Sequence, residues 1–419
     1  MIPQIKQRIE QIRRGEVPEG YKNTKGGIVP DEWVEDNLGR YLSEYKKLSN
    51  DIEKYPVYSS SRQGLIPQSQ YYDNREAVET NLGYKIVPNG YVTYRHMSDD
   101  DVFHFNVNNT GVEILVSSEY PVFSSTEKSS LGYIIPMLND TARFRYFCRT
   151  QKMGGTRTRL YYKNLCTYKS VFPPLAEQEK IAEILQTQDK VIELKEKLIE
   201  EKKRQKKALM QQLLTGKKRL PGFSSEWKKQ KMSDILCERK EKNKDQSLRI
   251  CSVAVNSGVV DQREHLGKSM AASDTSNYNV VYYGDIVYTK SPTGAFPYGI
   301  MKQSQLTENV AVSPLYGVYE PTSYEIGYLL NEYFMYSNNA NGYLLPIINK
   351  GAKNTINISN ATFITPSLYL PTEFEEIKKL VQIFKVANTE IEILQKDLDQ
   401  EKQKKKALMQ LLLTGIVRV

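Results

Sequence analysis

Lys206-Lys207-Ala208-Leu209-Met210-Gln211, closed by Leu213-Leu214-Thr215-Gly216, recurs 199 residues later as Lys405-Lys406-Ala407-Leu408-Met409-Gln410 and Leu412-Leu413-Thr414-Gly415. These words end two long charged segments, Leu175 to Leu214 and Phe374 to Leu413, which align without a gap. A period that long is not that of a solenoid, whose repeats run to roughly 20–50 residues. It marks a duplicated half-molecule.

Periodicity assigns both segments to helix. In the second, Phe384, Ala387, Ile391, Leu394 and Leu398 recur at alternating steps of three and four, and Leu408 and Leu412 rejoin after a polar gap. In the first, Leu185, Ile192, Ile199, Leu209 and Leu213 keep the same register, with Ile181, Ile184, Val191 and Leu198 on a flanking row. This is a coiled-coil seam broken by polar residues. Two matched copies pair most simply with each other, antiparallel, about a pseudo-twofold axis. A helix of about 40 residues is a rod near 60 Å, long enough to hold two domains apart.

Outward from the helices the chain alternates in texture. Ile5 to Arg14 reads as a short basic helix stopped by Gly15 and Pro18. From Trp33 to about Phe172, short runs rich in Tyr, Val, Ile and Ser are punctuated by Gly, Pro and Asn, the pattern of a β-rich domain. Pro173-Pro174 halts it and the first long helix begins. After Gly216, a basic run and Pro221-Gly222 lead to Glu226-Trp227, and the β-rich pattern resumes. The two tryptophans, Trp33 and Trp227, stand 194 residues apart, as do Gly64 and Gly258, Gly90 and Gly284, and Tyr94 and Tyr288. The offset grows to 196 at Val116 and Val312 and to 199 in the helices, the drift expected of two diverged copies with small insertions. The expected class is therefore α+β: two β-rich globular domains separated by two long antiparallel helices forming a coiled coil, as an internal repeat. The segments are 1–26, a leading segment with a short helix; 27–171, the first domain; 172–221, the first long helix; 222–368, the second domain; and 369–419, the second long helix.

Composition limits the partners. The 58 basic residues exceed 49 acidic ones by nine, and the excess gathers at the ends of the long helices, which favours a polyanion. No run reaches the roughly 18 apolar residues of a membrane span, and the first residues lack the apolar core of a signal peptide. Four dispersed cysteines (Cys148, Cys166, Cys237, Cys251) without a CxxC spacing fit reduced thiols in a cytoplasm and give no zinc site.

A search for catalytic constellations finds little. There is no GxxxxGK[ST] loop for ATP, and Gly154-Gly155-Thr156-Arg157 lacks the phosphate-cradling pattern. Phe172-Pro173-Pro174-Leu175 shares only its prolines with the motif of amino-methylating enzymes and reads as a helix stop and start. His96, His104 and His265 are too scattered for a triad or a metal centre, and read as surface or satisfied residues. Asp31, Glu44 and Lys46 have the loose spacing of a magnesium-dependent nuclease, where two carboxylates hold the ion and a lysine assists the water. That nuclease is one alternative; a coiled-coil scaffold binding nucleic acid through its basic helices is another. The expectation is a chain that performs no chemistry and needs no cofactor or metal.

A duplicated β-rich domain and helix, with Val29-Pro30-Asp31-Glu32-Trp33 opening the first domain, Gly155-x-Arg157 near its end, Phe172-Pro-Pro-Leu-Ala-Glu-Gln-Glu179 entering the helix and Leu213-Leu-Thr-Gly216 closing it, resembles the specificity subunit of type I restriction-modification systems. The resemblance covers essentially the entire chain. It departs at the second junction, where Pro371-Thr372-Glu373-Phe374-Glu375-Glu376 replaces the Pro-Pro-Leu-x-Glu-Gln word. It implies that each β-rich domain is a target recognition domain on double-stranded DNA, reading half of an asymmetric bipartite site, and that the helices act as a ruler. It further implies docking of two methyltransferase subunits, which use S-adenosylmethionine, and of two ATP-dependent motor-nuclease restriction subunits. Those cofactors would belong to the partners.

Arg, Asn and Ser on loops are the residue types that read base edges, while Lys and Arg neutralise phosphates. At matched loops the candidates are Ser60, Ser61, Arg62, Arg95, Arg157 and Arg159 in the first domain. In the second they are Asn256, Ser257, Thr289, Lys290, Lys353 and Asn354.

Overall fold

The structure, a computed structural model, describes residues 3–71, 83–152, 156–266, 273–350 and 356–419. It divides into two compact units: Met1–Glu196 with Asp397–Val419, and Lys197–Lys396.

The core of the first unit is a four-stranded antiparallel sheet in the order Phe105–Val107, Val92–Tyr94, Val122–Ser125, Leu42–Glu44. In the second unit the order is Ile300–Gln303, Ile286–Thr289, Gly317–Pro321, Leu236–Glu238. The registers agree residue by residue. Tyr94 faces Phe105 and Tyr288 faces Met301; Phe123 faces Val92 and Tyr319 faces Ile286. Both sheets are largely buried, with polar residues such as Thr93, Asn106, Lys302 and Gln303 set among apolar ones. In the first unit, Tyr94, Phe105 and Phe123 pack under the helices Leu131–Asp140 and Ala142–Thr150. Val122, from the same sheet, packs with Val87, Ile114 and Val116 of a second sheet. Val287 and Val318 do the same with Val281, Val310 and Val312 in the second unit.

Each unit has a hairpin at its second sheet: Tyr58–Ser61 with Gly64–Pro67 stands as a separate pair linked to it by a Val57–Leu115 bridge, and Arg249–Ala254 with Gly258–Asp261 belongs to it. Gly64 (φ +114°) and Gly258 (φ +74°) open the return strand in conformations that side chains resist. Because Ser61 faces Gly64 and Ala254 faces Gly258, the offset between copies is 193 on the leading strand and 194 on the returning one. The drift expected from the sequence is therefore interrupted by a two-residue turn answering a three-residue turn.

The long helices span Leu175–Leu213 and Phe374–Leu412, 39 residues each. Their ends belong to the domain cores. Ile181, Leu185, Met409, Leu412 and Leu413 join the core of the first unit, and Met210, Leu213, Ile377, Leu380, Val381 and Phe384 that of the second. In the middle of the expected seam Ile199 is buried and Ile192, Ile391, Leu394 and Leu398 are half-buried, and ion pairs supplement it. Within the first unit, Gln188 donates to Glu401 at 2.7 Å, Lys195 pairs with Asp397, and Lys402 lies 2.7 Å from Glu196. Within the second, Lys202 reaches Glu390. Positions rise on one helix as they fall on the other, so the pairing is antiparallel.

The two tryptophans anchor the same device twice. Trp33 Nε1 donates to Glu177 Oε2 at 3.0 Å, and Arg418 Nε donates to Glu177 Oε1 at 2.6 Å. Trp227 Nε1 donates to Glu376 Oε2 at 3.1 Å, and Arg219 donates through both Nε and Nη2 to Glu376, each at 2.9 Å. In each unit a glutamate in the first turn of one long helix is clamped by a domain tryptophan and by an arginine just past the end of the other. Buried carboxylates are tolerated only when paired and hydrogen-bonded in this way.

Candidate nucleic-acid interface

In the first unit the hairpin turn, the end of strand Val92–Tyr94 and the loop after Met97 surround an open cavity of about 590 Å³. Four sequence-predicted residues line it: Ser60, Ser61, Arg62 and Arg95. Arg95 is exposed. Ser60 is buried and its Oγ accepts from Asn106 Nδ2 at 2.8 Å, while the Ser61 carbonyl accepts from the same amide at 2.9 Å. Asn106 thus locks the hairpin onto the sheet.

Arg157 precedes the short strand Thr158–Arg159, whose Arg159 faces Met97 of the cavity wall. Both arginines are exposed. The carboxylates of Asp99, Asp100 and Asp101, which sequence reasoning passed over, organise this edge. Arg157 Nε donates to Asp99 Oδ1 at 2.8 Å, Arg62 pairs with Asp100, and Thr158 Oγ1 donates to Asp101. The hydrogen bond from Arg62 holds the Asp100 carboxyl below its ordinary range, assisted by Ser98. Holding Arg157 by Nε leaves its two Nη groups to donate elsewhere. Asp101 takes a left-handed conformation (φ +62°) to turn the chain there.

In the second unit the candidates divide. Asn256 and Ser257 sit on the hairpin turn and line a cavity of about 420 Å³ with Lys302, Asn331, Glu332 and Lys385. Thr289 is buried and its Oγ1 accepts from Ser291 N at 3.3 Å. Lys290 is half-buried, and burial lowers its pKa against the pull of Glu238. Lys353 and Asn354 lie outside the described residues, as does Gly155 of the Gly155-x-Arg157 word. Lys302 had no signal in the sequence, since its place is defined by strand register.

The histidine and nuclease expectations are also placed. His96 is buried rather than superficial, and its Nδ1 has no hydrogen-bond partner among the described residues, which corrects the reading of it as satisfied. His104 lines the first cavity, and the side chain of His265 lies outside the described residues. Lys46 lies 2.9 Å from Glu44 in an ion pair, so the lysine assigned to assist a water is held by a carboxylate. Among the described residues no three His, Cys, Asp or Glu side chains gather as metal ligands, and no helix is long and apolar enough to cross a membrane.

Residues 39–204, which contain the first hairpin, the arginine-lined cavity and the start of the first long helix, match the family model "Type I restriction modification DNA specificity domain". Over that stretch the chain is similar to type I DNA specificity domains. Solved structures share its fold across both units. The type I restriction-modification system S subunit from M. genitalium matches with a TM-score of 0.55 at 12% identity, over 91% of this chain and 96% of that one. A chain from a structure concerned with complex assembly and conformational transition of the type I R-M system matches with a TM-score of 0.51 at 12% identity, over 93% and 99%. At these identities the likeness is one of fold. The specificity-domain match ends at residue 204, and the second unit repeats the strand order and clamp of the first.

Proposed function

We propose that this chain is the DNA-reading specificity subunit of a type I restriction-modification system. Each unit recognises one half of an asymmetric bipartite duplex target, and the paired helices set the unread spacer. The observation that carries this reading is one strand order, found twice, with the same helix clamp beneath it and different residues on the exposed hairpin edge. One scaffold with two surfaces suits two unlike half-sites. Half-sites one duplex turn apart are separated by about 34–36 Å, within the span of a 39-residue helix near 60 Å.

In the first unit Arg62, Arg95, Arg157 and Arg159 read base edges or phosphates, with Asp99 and Asp100 orienting two of them. In the second the hairpin residues Asn256 and Ser257, with Thr289, Lys290, Lys353 and Asn354, serve the other half-site. The family's specificity subunits are generally non-catalytic and work with methyltransferase and restriction subunits. We assign two copies of each to this chain, a cytoplasmic setting, and no cofactor of its own. Competition binding tests the reading: one duplex sequence must be preferred over random duplex and RNA. Long-read mapping of methylated adenines in cells carrying the system must then return a single bipartite motif. Equal binding to all duplexes would refute it, and cutting of DNA by the purified chain with magnesium alone would favour a nuclease.

A further inference from the structure

Lys302 occupies in the second unit the place that Asn106 holds in the first. Asn106 faces Thr93 across its strand pair and Lys302 faces Val287 at the equivalent step. Asn106 is satisfied by Ser60 and Ser61. The hairpin residues that answer those serines in register are Val253 and Ala254, so the hydroxyl acceptor is gone and the amide has become an ammonium. Lys302 is only 5% exposed, yet it has no hydrogen-bond or ion-pair partner among the described residues. The carboxylate that acts on it, on Glu332, is ion-paired with Lys206 at 3.1 Å through an Oε2 that accepts no hydrogen bond, and its Oε1 accepts from Asn388 Nδ2 at 3.0 Å.

An unpartnered buried cation is costly and needs a counter-charge. What Lys302 faces is the cavity of about 420 Å³. Asn256 and Ser257 enter it from the hairpin turn. Asn331 enters from the helix Tyr324–Phe334, its Oδ1 engaged by the Gln303 backbone N–H at 3.1 Å so that its amide nitrogen is left to donate. Of the other charged groups lining the space, Lys385 lies over the Tyr324 and Tyr328 rings and Glu392 sits on the same helix face as Lys385. Counting Lys206 behind Glu332, three lysines stand against two glutamates.

We propose that this cavity is an oxyanion site, taking a phosphate group between the Lys302 ammonium and the donors of Asn256, Ser257 and Asn331. A tetrahedral oxyanion offers acceptors in several directions, which suits donors arriving separately from strand, hairpin and helix. Burial pushes the Lys302 pKa down only to about 8, so the group is still largely cationic at neutral pH. The phosphate comes either from the backbone of a bound duplex, a source that rests on the DNA-reading proposal, or from free phosphate.

The test uses the full chain, wild type and Lys302→Met, with Lys302→Arg as a variant that keeps the charge. Inorganic phosphate should raise the melting temperature of wild type and Lys302→Arg beyond the effect of chloride at equal ionic strength. Lys302→Met should weaken phosphate binding by about tenfold or more, as expected for a charged hydrogen bond. If the duplex supplies the group, phosphate competes with DNA, and Lys302→Met lowers the salt dependence of duplex binding by about one counterion on all sequences alike. If free phosphate is the ligand, duplex binding by Lys302→Met is unchanged. No phosphate effect in wild type beyond chloride, together with an unchanged duplex salt slope in Lys302→Met, overturns the proposal. Absence of sequence preference in wild type would defeat the DNA-reading proposal instead, leaving phosphate protection to be judged separately.

Discussion

The two units share a strand order, a hairpin and a clamp, and among their differences is one step of one strand. Asn106 closes the first hairpin onto its sheet with two hydrogen bonds; Lys302 leaves the second open over a polar cavity. The exposed edges differ accordingly. The first sets arginines against an acidic triplet at Asp99–Asp101, and the second presents Asn256 and Ser257 beside a buried cation. Identity has been kept where side chains join the helices to the domains and lost where they face outward. The comparison teaches that a fold can hold its frame constant while a single cross-strand position switches a surface from locked to receptive.

The clamps are the common ground, and breaking them should give the largest effect. Glu376→Ala strands the Trp227 N–H and both donors of Arg219, and should cost about 3 kcal/mol in urea unfolding. Glu177→Ala should cost less, about 2 kcal/mol, because Arg418 keeps Glu32 as a second partner. Equal losses would show that the two clamps are not distinguished by this difference.

A pH series sharpens the contrast between Asn106 and Lys302. The folded chain holds the Lys302 proton less tightly than the unfolded one, its pKa moving from 10.5 to about 8 under burial. The unfolded state therefore binds more protons, and stability rises with pH between about 8 and 10.5. In an anion-poor buffer, wild type should gain on the order of 2 kcal/mol relative to Lys302→Met over that window. A flat difference would mean that Lys302 finds a partner in solution.

On the outward edges, Arg157→Ala should cost roughly 1–3 kcal/mol of target binding and relax specificity at one base pair, read by methylation of base-substituted targets. A uniform loss on every sequence would assign Arg157 to a phosphate. The smallest effect comes from rebuilding the lock: Val253→Ser with Lys302→Asn should show a favourable coupling of about 1 kcal/mol in a double-mutant cycle. Strict additivity would mean that the hairpin of the second unit cannot adopt the geometry of the first.

Much of this architecture was legible in the sequence. The repeated word placed both helices within a residue of their ends, and the shared offset of Trp33 and Trp227 marked positions that prove to be clamps. Ser60, Ser61, Arg62 and Arg95 were matched by residue type, and the fold gathers them around one cavity. What escaped notice depends on pairing across strands. Neither Asp99 beside Arg157, 58 residues away, nor Lys302 opposite Val287 leaves a trace in local spacing. The seam is hard to separate from the cores for a related reason. Apolar residues at helical steps look alike whether they meet a partner helix or a domain core, and at both ends of these helices the core takes them.

Arg418 carries a last consequence. The stretch through Arg418 returns to Glu177 and Trp33 and also engages Tyr21, whose hydroxyl donates to the Gly415 carbonyl at 3.0 Å. Exchanging Arg418 for a neutral residue would leave a buried carboxylate without its cation at the root of a long helix. One side chain far along the sequence thus holds the entry of the first long helix against its own domain.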